Sequence, residues 1–218
     1  MATRIKYEVE GKKVPSLNNI LDNCKIGGIG NLLYRANQAG LMGRQLKEAG
    51  EDTTNAGWLA FKRIDSIING NEFDIDLYSE SCIDRSEDCC KDFFRFSRDL
   101  FIKKTLSNIS LVSESLKYGD TFDVYSTKTD QCVLVMLVIQ NEIYPENLIK
   151  LAARANLLKE NGIGEVTVSY ILQVNNPKTV DDKVCFTVHE YDDLSYPLSV
   201  FTHMRDIYDM QDMLKTLV

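Results

Sequence analysis

The pattern of apolar and polar positions predicts mainly helices in the first half of the chain and changes rhythm to strands interrupted by helices in the second. Arg4 to Val9 alternates apolar and polar residues and runs into Glu10-Gly11-Lys12-Lys13, which predicts a strand and a turn. Pro15 disfavours helical geometry at Val14, and Ser16 is a suitable N-cap for a short helix through Cys24. Gly27-Gly28-Ile29-Gly30 breaks the chain ahead of a helix from Asn31 to Leu41. Leu59, Ile64, Ile67 and Ile68 recur at helical spacing, so Ala56 to Ile68 reads as a helix closed by Asn69-Gly70-Asn71. Asp74 to Asp88 is acidic and reads as an irregular surface insertion. A further helix is expected over Lys91 to Lys104.

The second half predicts strands at Ile109 to Leu116, Thr121 to Ser126 and Val133 to Ile139. A helix follows from Glu146 to Asn161, closed by Gly162. Strands at Val166 to Leu172 and Val184 to Tyr191 and a terminal helix from Tyr196 to Leu217 complete the order. This order predicts an α/β (α+β) fold with a central mixed β-sheet flanked by helices. The chain is expected to form one domain over 1–218, mainly helical in 1–105, with the sheet core and C-terminal helix in 106–218.

Composition narrows the function classes. The 218 residues carry 25 Lys+Arg against 32 Asp+Glu, a formal net charge of −7. That balance argues against a protein that coats duplex DNA, because non-specific DNA affinity comes from neutralising phosphates with Lys and Arg. A hydrophobic share of 44% excludes disorder over most of the chain. The longest apolar run, Cys132 to Ile139, is far shorter than a membrane span, and the first six residues lack the apolar core of a secretory signal. A cytoplasmic, reducing setting is expected, with the six cysteines as free thiols. Cys82, Cys89 and Cys90 cluster, but no CxxC pair and no nearby histidine give them the ligand set of a zinc or iron–sulfur site.

Four stretches, in order, resemble the PD-(D/E)XK nuclease superfamily, in particular the RecB-like and phage-type exonucleases. Gly11-Lys-Lys-Val14-Pro15-Ser16-Leu17-Asn18-Asn19-Ile20-Leu21 is similar to their opening "G-x-x-x-P-S-V-T-x-I-L". Gly57 to Gly70 is similar to their "G-T-x-x-H-x-x-I-E-x-x-L-x-G" helix. Tyr118-Gly119-Asp120-Thr121-Phe122-Asp123-Val124 is similar to their "G-x-x-D" strand, with one extra residue between Gly119 and Asp123. Ile143 through Gly162, followed by Val166 to Tyr170, is similar to the helix and strand after their catalytic strand. The resemblance implies a restriction-endonuclease-like core.

It also implies a particular constellation: carboxylates that hold Mg²⁺, and a lysine that orients the attacking water. The acid and the lysine of D/E-x-K share one strand, where period-2 alternation points both into one cleft. Asp123 matches the first strand Asp and is the candidate metal ligand. Asp65 stands at the helix Glu position, and Glu114 is a further upstream acid. Phe61 replaces the helix His, and Lys150 and Arg154 replace the Gln and Tyr of "Q-x-x-x-Y". No register of the next strand supplies D/E-x-K: Met136 with Val138, Leu137 with Ile139, and Val138 with Gln140 all fail. Glu142 with Lys150 is the candidate for a site that has migrated. The plainer reading of Glu142 is an acid near a helix N-terminus, and of Lys150 an exposed helix lysine.

The resemblance with its missing pair therefore implies a catalytically inactive nuclease-fold protein. Such a chain would act as a binding, regulatory or inhibitory factor in nucleic-acid processing, in a phage or mobile-element setting. No cofactor is expected in that case, and the partner is expected to be a protein rather than a nucleic acid or a membrane. The alternatives are an active Mg²⁺-dependent DNA exonuclease with relocated residues, and a structural or assembly protein.

Overall fold

The computed structural model describes residues 6–24, 56–57, 59–67, 80–100, 104–128, 131–175 and 183–215. The chain begins with a hairpin of β1 (Tyr7–Val9) and β2 (Lys12–Val14), joined at Val9↔Lys12. Its two loop residues, Glu10 and Gly11, both have positive φ, as a type I′ turn requires. Ser16 then caps α1 (Leu17–Asn23), its Oγ accepting from the Asn19 amide at 3.2 Å. The helix expected over Asn31 to Leu41, the Asn69-Gly70-Asn71 stop and the first part of the expected acidic insertion, 74–79, lie outside the described residues.

Residues 56–57 and 59–67 are helical and form α2. The next element, α3 (Glu80–Leu100), corrects the expected irregular insertion: residues 80–88 are helical. Cys82, Cys89, Phe93 and Phe96 fall on one packed face of this helix, while Asp84, Glu87 and Asp88 are exposed. The acidic run is thus the solvated face of an amphipathic helix. The Arg63 guanidinium on α2 donates to Ser86 Oγ on α3 at 2.8 Å and ties the two helices together.

The remaining strands are β3 (Lys104–Ser113), β4 (Tyr118–Lys128), β5 (Gln131–Ile139), β6 (Val168–Val174) and β7 (Phe186–Tyr191). They form one sheet in the order β3-β4-β5-β6-β7. The β5–β6 pairing is parallel and the others are antiparallel. The parallel pair is bridged by α4 (Pro145–Glu160), and α5 (Ser195–Lys215) follows β7. The expected α+β class with a central mixed sheet and flanking helices is what the chain forms. The β3 strand starts earlier than expected and stops at Ser113, so Glu114 sits in the 114–117 turn rather than in a strand. The turn is fixed by Glu160, whose carboxylate accepts from Ser113 Oγ at 2.6 Å and from the Ser115 amide at 2.7 Å. Gly162 ends α4 with φ +67, as expected for the residue after a helix C-cap.

Each sheet face has its own core. On one, Ala56, Ala60 and Ile64 of α2 and Cys89, Cys90 and Phe93 of α3 pack on Val133, Val135, Leu172 and Val174. On the other, Leu151 and Leu158 of α4 pack on Leu134, Met136 and Ile171. Alternate β5 side chains therefore enter opposite cores, and this gives the strand its unbroken apolar run. Leu17, Ile20 and Leu21 of α1 join Tyr118, Ile149, Ala153, Leu157 and Phe201, so the N-terminal hairpin–helix unit is packed onto the β4 end of the sheet. None of the six cysteines is in a disulfide. No helix among the described residues is long and apolar enough to cross a membrane.

Candidate functional site

The strand that carries Asp123 parts company with its neighbour at that residue. β4 pairs with β5 only from Val124↔Val135 to Lys128↔Gln131. Before Val124, β4 pairs with β3 through Ser113↔Tyr118 to Ile109↔Phe122, and among the described residues its other edge takes only the short parallel bridge of Ser16 to Gly119. Beyond Val135, β5 pairs with β6 alone, through Met136↔Ile171 to Ile139↔Val174. A fork opens between the two strands, with Asp123 on one arm and Met136 to Ile139 on the other. The side chain of Asp123 lies outside the described residues.

The β5 arm is apolar in every register. Met136 and Val138 pack with the α4 core, and Leu137 packs with the α2–α3 core. An ionised acid or a lysine at these positions would be stranded in hydrocarbon, at a cost of several kcal/mol.

The β4 arm carries a charge that is already matched. Arg154 Nε lies 2.7 Å from Asp120 Oδ2, with only 12% and 8% of the two side chains exposed. Arg154 Nη2 also donates to the Thr121 carbonyl at 3.1 Å, in the stretch of β4 that β5 has left. The Arg154 guanidinium thus bridges α4 to the β4 arm and neutralises its buried carboxylate. One turn back on the same helix face, Lys150 is half-buried, its Nζ 2.8 Å from Glu146 Oε1.

The structure does not gather the other sequence candidates around this pair. Glu114 is exposed in the β3–β4 turn, nine residues along the chain from Asp123. Glu142 is exposed in the turn after β5. Asp65 is half-buried on α2 with Phe61 one turn before it.

Two features were not singled out from the sequence. One is Asp120, whose signal was its place directly after Gly119, at the start of the strand motif. Gly119 itself is needed as glycine because the Tyr7 ring lies against it, where a Cβ would overlap the ring. The other is a polar chain at the end of β5. Gln140 Nε2 donates to Asn147 Oδ1 at 2.6 Å, and Asn147 Oδ1 also accepts from the Tyr144 amide at 2.9 Å. Gln173 Nε2 donates to the Gln140 carbonyl at 2.8 Å, and its Oε1 lies 2.7 Å from His189 Nε2. Asn147 and Gln173 are buried, so this network pins the β5–α4 connection and the direction in which α4 crosses the fork.

A divalent cation in the fork would need oxygen ligands from both arms. Mg²⁺ requires a near-octahedral shell of oxygens, usually including one or two carboxylates. Here the described carboxylate on the β4 arm is bound to a guanidinium, and the β5 arm offers thioether and hydrocarbon. Among the described residues, no three His, Cys, Asp or Glu side chains stand together as a metal would need. The described residues do not fit the metal.

No family model and no curated protein matches the chain. Among solved structures it is similar to a protein from Eubacterium rectale named "Putative exonuclease", with a TM-score of 0.51 and 14% identity over 81% of this chain and 71% of that one. This likeness is one of fold. A second solved structure, of SSO0001, aligns with a TM-score of 0.37 and 9% identity over 70% of this chain and 84% of that one.

Proposed function

We propose that the chain is a single-domain, catalytically inactive relative of the PD-(D/E)XK nucleases. In this reading it acts by binding a protein partner, as a regulatory or inhibitory factor in nucleic-acid processing. The observation that carries the reading is the Arg154–Asp120 pair in the fork between β4 and β5. A nuclease of this class would use that fork to hold a cation between carboxylates. This chain supplies its own cation on α4 and fills the opposing strand with Met136, Leu137 and Val138. The fold likeness to a protein named as an exonuclease supports the scaffold half of the reading. The net charge of −7 supports a protein partner over a nucleic-acid one. An active enzyme with relocated residues draws less support, because the Lys150 ammonium that would orient water is paired with Glu146.

The test is a cleavage assay with purified protein, Mg²⁺ or Mn²⁺, and end-labelled single- and double-stranded DNA. No turnover is expected with either metal. Cleavage that disappears in Asp123→Ala would overturn the proposal.

A further inference from the structure

A cleft opens between the N-terminal hairpin, the 114–117 turn and α5, with a volume of about 530 Å³. Small-ligand sites occupy roughly 300–1,000 Å³. The cleft shares no lining residue with the β4–β5 fork. One wall is fixed by Arg205, which is buried. Its Nε donates to the Leu116 carbonyl at 2.8 Å, its Nη2 to the Lys117 carbonyl at 3.2 Å and its Nη1 to Asp209. The guanidinium thereby holds the turn against the helix, with Lys117 in the left-handed region at φ +52, where non-glycine residues are uncommon.

The lining combines three chemistries. Lys12, Lys13 and Lys117 are exposed cations from two separate turns, and none has an ion-pair partner among the described residues. Arg205, Tyr208, Asp209 and Asp212 stand at i, i+3, i+4 and i+7, so the two carboxylates share one face of α5 with the Tyr208 ring. The ring is half-buried, and Arg205 supports it from one side, 5.4 Å from its centroid. An occupant that is anionic throughout, such as an acidic peptide, would meet the α5 carboxylates, and a cationic one would meet the lysines. The set suits a ligand that is anionic at one end, carries neutral hydroxyl or amino donors at the other and has a flat apolar body.

We propose that this cleft binds a nucleoside phosphate. The three lysines take the phosphate oxygens as point charges. The α5 carboxylates accept from the ribose hydroxyls or an exocyclic amine, and a carboxylate has lone pairs for this even while it holds a guanidinium. The Tyr208 ring stacks the base.

Isothermal titration with ADP, GDP, CDP and UDP tests the site, with pyrophosphate and ribose 5-phosphate as reference ligands and circular dichroism as a check on folding. At least one of the four nucleotides is expected to bind and to raise Tm. Pyrophosphate and ribose 5-phosphate are each expected to bind about tenfold more weakly or worse, because neither offers a base to stack. Lys13→Gln/Lys117→Gln is expected to weaken the nucleotide by about tenfold or more. If that double variant is misfolded, Lys12→Gln is read in its place, with a loss in the same direction. Binding of none of the four nucleotides, equal binding of pyrophosphate or ribose 5-phosphate, or nucleotide binding that survives a folded lysine variant overturns the proposal.

Discussion

Replacing Arg154 with methionine removes the cation that holds the β4 arm to α4 while leaving the stem volume largely in place. The contacts that go include the 2.7 Å bond to Asp120 Oδ2 and the 3.1 Å bond to the Thr121 carbonyl. Asp120 is 6% exposed, so its carboxylate would be left charged and unpaired in the protein interior. Breaking a buried pair by removing one partner costs about 3–5 kcal/mol, against at most about 1 kcal/mol for an exposed pair. For a chain of this length that corresponds to a fall in Tm of roughly 6–20 °C. The assay is urea denaturation followed by far-ultraviolet circular dichroism on wild type, Arg154→Met, Asp120→Leu and the double variant. Either single change is expected to cost several kcal/mol, and the double variant to regain at least about 2 kcal/mol of the summed loss, because the buried Asp120 charge goes with its partner. Arg154→Lys is expected to fall between wild type and Arg154→Met. A loss below about 1 kcal/mol in Arg154→Met, with no coupling in the cycle, would refute the reasoning that this pair is a buried structural cation site.

Gly119→Ala should destabilise by about 1–3 kcal/mol through overlap with the Tyr7 ring, and Tyr7→Ala in the same background should relieve part of that loss; paired denaturation curves check both. Burial pushes the Glu160 carboxyl up, but hydrogen bonds from Ser113 and the Ser115 amide outweigh it and hold the group below its ordinary range. With the folded-state pKa depressed, its stabilisation is present above about pH 4.3, the unfolded value, and is lost as pH falls through the folded pKa. Glu160→Gln should therefore cost about 1 kcal/mol at neutral pH and flatten the acid limb of a stability–pH profile. Burial also raises the Cys89 and Cys90 thiols, whereas Cys185 is exposed. Alkylation followed by mass spectrometry should label Cys185 in the native protein and reach Cys89 and Cys90 only on unfolding.

The architecture was legible where local signals agree with burial. The Ser16 cap, the Gly162 stop and the alternating strands of the second half each follow from short-range chemistry, and each was placed within a few residues. The acidic stretch before Lys91 was misread because charge was given more weight than periodicity. Cys82, Cys89, Phe93 and Phe96 continue the same helical face through it, and cysteine is a weak hydrophobic marker in a pattern of acids. The β3 end was misplaced because Ser113 and Ser115 are held by Glu160, a partner 45 to 47 residues away that no local window contains.

The candidate site was legible only in outline. The absence of an acid and a lysine from β5 is plain in the residues Met136 to Gln140. The buried pairing of Arg154 with Asp120 is not, because the sequence puts Arg154 only at the Tyr position of the helix motif and it is the β5–α4–β6 crossover that brings α4 to β4. Asp120 was passed over for Asp123 on the same strand, since spacing alone does not say which of two nearby acids the helix will meet. The network of Gln140, Asn147, Gln173 and His189 joins three elements and has no signature in any one of them.

In the proposed function the fork between β4 and β5 has exchanged a metal for an arginine. Isothermal titration of the folded chain with Mn²⁺ tests it most directly, because Mn²⁺ takes the same oxygen ligands as Mg²⁺. No binding heat and no rise in Tm are expected at millimolar metal. A saturable site that raises Tm and is abolished by Asp123→Ala would contradict it.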